Sequence, residues 1–338
     1  MQFGLSEEQI LLQDNVNRFL DDNSPLDRVR TYAEGGEDTD IWAGLAELGI
    51  PALLIPEAQG GVGLQPMDAA IVAECLGSHI APTPFLGSAV MAPTALVASG
   101  GDHGDLLAEI AAGTTRVGIA FGEAIKRRND AGVTVKDGRM SGTSMYAFDA
   151  QADVYLVADQ HQHIYLVRAD DPGLTRSHLA TVDKTRRTVE LEYNNVAAET
   201  VSTAASVFEA AIDMGRVALA ADTLGAAQNM LDQAVEYAKQ REQFNRPIGS
   251  FQAVKHMCAE MAAELEPCRS MVWFAGHALA ELPGEARVTA CHTKAHLAEV
   301  GQFVAKTSTE VHGGMGFTDL VGLHYWFKRI GANRQWLG

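Results

Sequence analysis

The stretch Arg241-Glu242-Gln243-Phe244-Asn245-Arg246-Pro247-Ile248-Gly249 follows the longest apolar pattern of the chain. Before it, Val217, Leu224 and Leu231 recur every seven residues among alanines, which is the apolar stripe of a long bundle helix. We expect this helix over 206–243, ended by the proline and the glycine that follow. Two arginines on either side of an aromatic ring suit a pyrophosphate and a stacked base. A charged helix end with a buried phenylalanine is the alternative interpretation.

The chain changes character on the two sides of this helix. Towards the C-terminus, helical patterns cover 252–281 and 286–311. Towards the N-terminus, short segments rich in β-branched residues are separated by turn residues, which predicts an antiparallel β domain over 114–204. The predicted strands are Val117–Phe121, Val133–Val135, Val154–Val157, Ile164–Val167 and Val189–Tyr193.

Helical patterns return in the first third of the chain. Ser6 followed by Gln9 has the form of a capping box, and further helices are predicted over 40–48 and 67–76. Strands and long helices are segregated along the sequence, which argues against a doubly wound fold. We predict an α+β protein with three domains: an N-terminal helical domain over 1–113, a β-barrel-like domain over 114–204 and a C-terminal four-helix bundle over 205–338.

Composition and charge argue against several kinds of partner. The chain has 338 residues with 26 Lys and Arg against 43 Asp and Glu, which gives a net charge of −17. Nucleic-acid binding needs clustered cations, so no nucleic-acid partner is expected. We see no basic-then-apolar leader and no apolar run near the roughly 18 residues that span a bilayer. Four cysteines without a CxxC pair are typical of a reducing compartment, so we expect a cytoplasmic protein without a membrane partner.

A second glycine-rich stretch, His312-Gly313-Gly314-Met315-Gly316-Phe317, follows the last long helical pattern. Because glycines let a backbone approach a ligand closely, this stretch could contact a ligand. The alternative interpretation is a helix C-cap followed by a turn. It is not a Rossmann fingerprint, because the GxGxxG spacing is absent and no predicted strand precedes it. Cys291, His292 and His296 are close on one predicted helix, but no further ligand is evident, so we predict no metal site.

Four segments, taken in order, resemble the acyl-CoA dehydrogenase family over essentially the whole chain. The two most specific are Arg241-x-Gln243-Phe244-x-x-Pro247-Ile248-x-x-Phe251-Gln252, similar to the R-x-x-F-G-x-P-I…F-Q signature, and the late glycine motif that ends with Thr318. Pro56-Glu57-x-x-Gly60-Gly61-x-Gly63 and Asp183-Lys184-Thr185-Arg186 match weaker family patterns. The predicted α–β–α order agrees with this resemblance independently.

The resemblance implies an FAD enzyme that oxidises an acyl-CoA thioester to the trans-2-enoyl-CoA. In the family, a glutamate removes a proton from Cα while Cβ delivers hydride to the flavin, and electron-transfer flavoprotein then takes the electrons. A positioned general base commonly contributes about 10²–10⁴-fold to a rate, and the flavin carries the redox step.

The sequence departs from the family at the positions that, in the family, act on the flavin bound by the same chain. The two positions at which the family carries its glutamate correspond to Leu337 and Gly215, so neither offers a base and we assign no catalytic residue. The loop that holds the flavin ring from the β domain is replaced by Gly122-Glu123-Ala124-Ile125-Lys126-Arg127. The Trp-x-Thr element is replaced by Met145-Tyr146-Ala147-Phe148, and the glutamine before the late glycines by Glu310.

The retained residues are those that, in the family's dimers, reach across the interface to the neighbouring chain's flavin. We therefore predict the non-catalytic subunit of a heteromeric acyl-CoA dehydrogenase, similar to the small subunits of α2β2 enzymes that act on steroid side-chain thioesters. A partner subunit would supply the glutamate, and this chain would complete its FAD site. The predicted cofactor-binding residues are Arg241, Gln243, Phe244, Glu310, Gly313 and Gly314.

Three alternatives stay open at the level of sequence. A homo-oligomeric dehydrogenase could use a displaced carboxylate base, for which Asp222 and Asp213 are candidates. A non-enzymatic, structural subunit of the same fold would tolerate substitution of Arg241 without a change in flavin content. A flavin monooxygenase on this fold is the third, although the late glycine motif fits the dehydrogenases better.

Overall fold

The computed structural model describes residues 4–37, 39–122, 125 and 132–338, and the chain forms two compact units. One, called the bundle unit below, comprises Met1–Gly36, Ala70–Ala81 and Arg216–Trp336. The other, the sheet unit, comprises Glu37–Ala69, Pro82–Gly215 and Leu337–Gly338. The division of the sequence into three domains stays a prediction.

Ten α-helices lie in the described part of the chain, and they confirm the helical patterns of the first and last thirds. The patterns over 252–281 and 286–311 are the two helices that follow the longest one, with nearly the predicted bounds. The helices are α1 (Glu7–Asn23), α2 (Leu26–Ala33), α3 (Thr39–Glu47), α4 (Pro66–Ser78), α5 (Ala92–Ser99), α6 (Gly104–Ala111), α7 (Ala205–Gln240), α8 (Gln252–Glu281), α9 (Ala286–His312) and α10 (Leu323–Gln335).

Ten β-strands are found among the described residues, and each of the five predicted segments falls on one of them. The first eight form one sheet in the sheet unit, and the last two form a separate ribbon. The strands are β1 (Val117–Ala120), β2 (Gly132–Lys136), β3 (Arg139–Phe148), β4 (Val154–Ala158), β5 (Ile164–Arg168), β6 (Leu174–Leu179), β7 (Thr188–Ala197), β8 (Glu199–Ser202), β9 (Glu242–Gln243) and β10 (Arg246–Pro247).

The large sheet has the order β6-β7-β3-β1-β4-β5-β8, with β2 beside β3. It is antiparallel except that β1 and β4 run parallel. Because β3 runs opposite to β1 and the chain reverses again before β4, β4 returns in the direction of β1. The sheet buries a core that includes Met140, Tyr155 and Leu191. Strand β3 shows no clean alternation of buried and exposed residues because it has two register shifts against β7. The sequence pattern does not predict β3, β6 or β8.

Helix α7 ends at Gln240 rather than at Gln243, which corrects the predicted end. The chain leaves the helix because β9 and β10 pair as an antiparallel ribbon, with Gln243 opposite Arg246. A helical continuation would remove these backbone positions from the ribbon, so the two arrangements exclude each other.

The bundle unit is stabilised by local capping and by close helix packing. The capping box of α1 is confirmed, since the Gln9 backbone N–H donates to Ser6 Oγ at 3.2 Å and the Ser6 N–H to Gln9 Oε1 at 3.0 Å. Helices α4 and α7 approach so closely that a Cβ at Gly77 would lie 2.0 Å from the Asp222 carbonyl oxygen. None of the described helices combines the length and hydropathy that a membrane span requires.

Candidate cofactor-binding site

The bundle unit brings the two glycine- and arginine-containing motifs to one end of the helix pair α7 and α9. The ring of Tyr237 stacks on the imidazole of His312, with 4.6 Å between the ring centroids. One turn before His312, Ser308 Oγ donates to the carbonyl oxygen of Met230, which lies two turns before Tyr237, at 2.7 Å. Because the stacked pair directly precedes residues 241–249, called the arginine hairpin below, and residues 313–318, the glycine motif, the two motifs are neighbours.

The arginine hairpin reverses through an unfavourable turn. Between the paired residues Gln243 and Arg246, Phe244 and Asn245 have φ angles of +54° and +61°. Positive φ at both central residues is typical of a type I′ turn, which normally carries asparagine and glycine. Asparagine tolerates this conformation, whereas a phenylalanine adopts it at a cost of roughly 1–2 kcal/mol. The hairpin therefore holds Phe244 in a conformation that its side chain does not favour.

Phe244 is 86% exposed despite its large apolar ring. Its only ring neighbour among the described aromatic pairs is Phe251, which it meets edge-on with 6.0 Å between centroids. The guanidinium carbon of Arg246 lies 4.0 Å from the centroid of the Phe251 ring, a cation–π contact that fixes the base of the hairpin. The alternative of a buried phenylalanine at a helix end is therefore wrong, and the hairpin presents an aromatic face to the outside.

The glycine motif contains glycines of different kinds. Gly313 ends α9 with φ +57°, and its N–H donates to the Glu310 carbonyl oxygen as a helix cap. A Cβ at Gly316 would lie 2.7 Å from the Thr309 carbonyl oxygen, so packing requires a glycine there. At Gly314, neither reason applies, because φ is not positive and a Cβ would meet no atom within 4 Å. Gly314 thus keeps a surface open that the fold itself would allow a side chain to cover.

All six predicted cofactor-binding residues are exposed at this end of the helix pair. Arg241 supplies a guanidinium, and Gln243 donates its side-chain amide to the Glu242 carbonyl oxygen at 2.8 Å. Glu310 places a carboxylate in the last turn of α9, where the helix dipole disfavours a negative charge, so helix stability does not account for it. The set as a whole offers one cation, one side-chain amide, one carboxylate, an exposed ring and two glycines.

Sequence reasoning missed the residues that hold these groups in place. Tyr237 lies one helical turn before the arginine hairpin, and a turn-spaced aromatic is the only signal that could have revealed it. His312 is buried, and its Nδ1 lies 2.8 Å from the Ser308 carbonyl oxygen. Burial lowers the pKa of His312, so the ring is neutral and donates from Nδ1 to that carbonyl.

In the sheet unit, the structure brings together the two positions that we expect, from the resemblance, to correspond to the family's glutamate. A Cβ at Gly215 would lie 2.6 Å from Cδ1 of Leu337 and 2.9 Å from Sδ of Met91. Two positions separated by more than one hundred residues in sequence are thus neighbours in the fold, as expected if both face one reaction space. Neither carries a titratable group.

Asp222, one candidate for a displaced base, is engaged in a buried ion pair of the bundle unit. Arg329 donates through Nη2 to Oδ2 at 2.8 Å and through Nε to Oδ1 at 3.1 Å. Asn333 donates to the same Oδ1 at 2.7 Å, and the Arg329 guanidinium also reaches the Ala81 carbonyl oxygen. A carboxylate held in this way cross-links helices and is not poised to take a substrate proton. Asp213, the second candidate, is also buried and has interactions of its own.

The β-domain segments that depart from the family are described only in part. Of the loop over 122–127, residues 123, 124, 126 and 127 lie outside the described residues. Met145 and Tyr146 fall in the register shift between Ser144 and Ala147, where β3 bulges against β7. Tyr146 has φ +56° and is partly exposed, so the segment that we expect to stand in place of the Trp-x-Thr element forms a bulge.

Other polar groups form no comparable site. His292 and His296 are exposed on α9, and no group of three or more metal-ligating side chains occurs among the residues that the structure describes. The sheet unit has a cavity of about 290 Å³ beside α6, and its lining includes five acidic side chains and Arg168. None of the six predicted residues lines this cavity.

Two family models match the chain. The acyl-CoA dehydrogenase N-terminal domain matches residues 6–113, and the acyl-CoA dehydrogenase C-terminal domain matches residues 205–338. The chain therefore belongs to the acyl-CoA dehydrogenase family, and its fold is the α+β fold predicted from the sequence.

Three similar proteins each align with nearly the whole chain. The acyl-CoA dehydrogenase IpdE2 of Mycolicibacterium smegmatis is 30% identical over 99% of this chain and 96% of that protein. The structure of the ChsE4-ChsE5 complex from Mycobacterium tuberculosis superposes with a TM-score of 0.90 at 27% identity, over all of this chain and 95% of the matched chain. A variant of the Tcur3481-Tcur3483 steroid acyl-CoA dehydrogenase superposes with a TM-score of 0.87 at 28% identity, over 98% and 94% of the two chains.

Proposed function

We propose that this chain is a subunit of a heteromeric, FAD-dependent acyl-CoA dehydrogenase and that it completes a flavin site whose catalytic base comes from a partner chain. The enzyme would introduce a double bond between Cα and Cβ of an acyl-CoA thioester and pass the electrons to electron-transfer flavoprotein. An α2β2 arrangement and a steroid-derived acyl chain are the finer parts of this proposal. They are supported by the similarity to chains of the ChsE4-ChsE5 complex and of a steroid acyl-CoA dehydrogenase.

The observation that carries the proposal is the contrast between two sites in one chain. The arginine hairpin and the glycine motif present an exposed ring, a guanidinium and open backbone. The positions of the base, by contrast, are Gly215 and Leu337 in close contact, without a titratable group. A chain that serves only itself would need both sets, whereas a subunit that completes its partner's site needs only the first.

The exposed groups fit a flavin dinucleotide by their chemistry. The Arg241 guanidinium matches a pyrophosphate, to which it can donate two parallel hydrogen bonds. The Phe244 ring would cover a planar group, and Gly314 would let such a group approach the backbone because no Cβ intervenes. Gln243 can donate to or accept from a heterocycle, and Glu310 can accept from a hydroxyl or amino group. When bound, FAD would supply the hydride acceptor.

The partner would supply what this chain lacks. A thioester α-proton is weakly acidic, so its removal needs a carboxylate aimed at Cα. We assign this role to no described residue near Gly215. The substrate's reacting carbons would therefore bind in the partner subunit, beside that subunit's glutamate. This chain would orient and enclose the cofactor there and would exclude water from its edge.

The test is the flavin content of the heteromeric complex with and without Arg241. We would co-express the chain with the acyl-CoA dehydrogenase that it binds, purify the complex and measure FAD per complex from its visible absorbance after denaturation. We expect Arg241→Ala to lower the FAD affinity by about 10-fold or more, since a charge-assisted bidentate contact is lost. Arg287→Ala is the matched control, because Arg287 is exposed in the first turn of α9, at the end opposite the glycine motif.

Two outcomes would contradict the proposal. If Arg241→Ala and Arg287→Ala complexes retain flavin equally, the chain is a structural subunit that does not touch the cofactor. If the chain purified alone carries stoichiometric FAD and oxidises an acyl-CoA, it is a homomeric enzyme with its own base.

A further inference from the structure

Gly215 lies in a space that is already filled. A Cβ at this position would lie 2.6 Å from Cδ1 of Leu337, and 2.9 Å and 3.1 Å from Sδ and Cγ of Met91. Contacts below 3.0 Å essentially do not occur for real side chains, so a residue with a Cβ fits at this position only if the ends of the Leu337 and Met91 side chains shift. Where the family carries its base, this chain therefore has the ends of two apolar side chains.

Leu337 occupies this space in an unfavourable backbone conformation. Its φ angle is +61°, in the left-handed region that residues with a Cβ rarely adopt, and it is only 2% exposed. Packing of the side chain compensates for the unfavourable backbone. Strain of this kind, held in place by the surroundings, is typical of positions with a role beyond stability.

Met91, the second neighbour of Gly215, belongs to a buried turn of the chain. It ends a π-helical turn, Leu86–Met91, whose six residues are all buried. This turn is tied to β1, since the Val117 N–H donates to Ser88 Oγ at 2.8 Å and a Cβ at Gly87 would lie 2.4 Å from the Val117 carbonyl oxygen. Short π-helical turns are often found at functional sites. The turn that carries Met91 is therefore tied to β1, and the methionine itself is fully buried.

We infer that Met91 and Leu337 form a plug that excludes an acyl thioester from this chain's own reaction space. This inference rests on the proposed function, because the correspondence of Gly215 and Leu337 with the base positions comes from the family. It adds that the chain is closed to substrate by packing, so a heterodimer would bind a single acyl thioester, in the partner's site. Restoring a glutamate at Gly215 alone would then not restore catalysis.

The plug is tested by binding of an unreactive substrate analogue to the full chain. We would titrate the purified chain with S-butyl-coenzyme A, a thioether that cannot form the enolate, by isothermal titration calorimetry. The wild-type chain should show no saturable binding. Met91→Ala/Leu337→Ala should show saturable binding, with a dissociation constant about ten-fold or more below the weakest that the wild-type titration could detect. Should the double variant fail to fold, Leu337→Ala alone serves the same comparison.

The matched control is Met140→Ala/Leu191→Ala, which opens a similar volume in the buried core of the sheet. Saturable binding by the wild-type chain, or an opened variant that binds no better than the control, would overturn the plug. Flavin content with and without the partner is measured on the same samples. Partner-dependent flavin together with wild-type thioether binding would remove the plug and leave the proposed function standing.

Discussion

Gly314 and Gly316 are two residues apart, and packing requires a glycine at only one of the two positions. At Gly316, a Cβ would lie 2.7 Å from a backbone oxygen of α9. At Gly314, a Cβ would meet nothing within 4 Å and the backbone is in an ordinary region. The open surface at Gly314 is therefore the stronger pointer to a bound group.

Alanine substitutions should separate these two roles. We expect Gly316→Ala to lower the free energy of unfolding by more than about 1 kcal/mol because the neighbouring backbone must move. Gly314→Ala should change it by less than about 0.5 kcal/mol, yet reduce the FAD content of the heteromeric complex. Urea unfolding and flavin absorbance provide the two measurements. A Gly314→Ala complex with full flavin content would show that no ligand approaches this backbone.

The ion pair of Asp222 and Arg329 predicts a stability role for the aspartate. Removing one partner of a buried, hydrogen-bonded pair leaves the other charge uncompensated, which typically costs about 3–5 kcal/mol. We therefore expect Asp222→Asn to lower the free energy of unfolding by this amount. Asp232→Asn is the matched control, because Asp232 is exposed on the same helix, and it should change stability by less than about 0.5 kcal/mol.

The competing hypothesis gives the opposite result for the same variant. If Asp222 were a displaced base, Asp222→Asn would keep the stability of the wild-type chain and abolish dehydrogenation by a purified homomer. A stable, inactive variant would therefore contradict the structural assignment of this residue.

At the scale of elements, the site depends on how α7 and α9 end side by side. The stacked pair of Tyr237 and His312 joins the last turns of the two helices, directly before the hairpin and the glycine motif. His312 is buried, and burial lowers its pKa below the ordinary value of 6.5. The folded state therefore binds a proton at this ring less readily than the unfolded state does.

This contact predicts a pH dependence of stability. With a depressed pKa in the folded state, the contribution of His312 is fully present above pH 6.5 and is lost as the pH falls through the folded-state pKa. As the pH is lowered through this range, the melting temperature of the wild-type chain should fall, and it should fall less for His312→Gln. His296→Gln, at an exposed position of the same helix, is the control. Equal acid sensitivity of wild type and His312→Gln would contradict the assignment.

At the scale of the whole molecule, periodicity predicts the elements better than it predicts their contacts. The order of helices, strands and helices, and the bounds of α8 and α9, follow from patterns that repeat within one element. The end of α7 does not, because a hairpin with positive φ at Phe244 lacks the usual asparagine–glycine signal. Sequence reasoning identified the motif and misplaced its local structure for this reason.

Contacts between distant residues leave no local trace in the sequence. Asp222 is recognisable as an unusual acid in an apolar helix, but its partner Arg329 lies more than one hundred residues away. The contact of Gly215 with Leu337 is likewise invisible to periodicity. The six predicted cofactor-binding residues could be proposed because they lie in or beside short family motifs. Packing contacts join distant residues and form no such motif.

The most direct measurement is the visible absorbance spectrum of the chain purified alone and again after co-expression with its partner, each with the native mass. We expect a colourless chain alone and a yellow heteromer that holds a single flavin for each pair of unlike chains. A yellow homomer with stoichiometric FAD and acyl-CoA dehydrogenase activity would contradict the claim that this chain completes the site of another subunit.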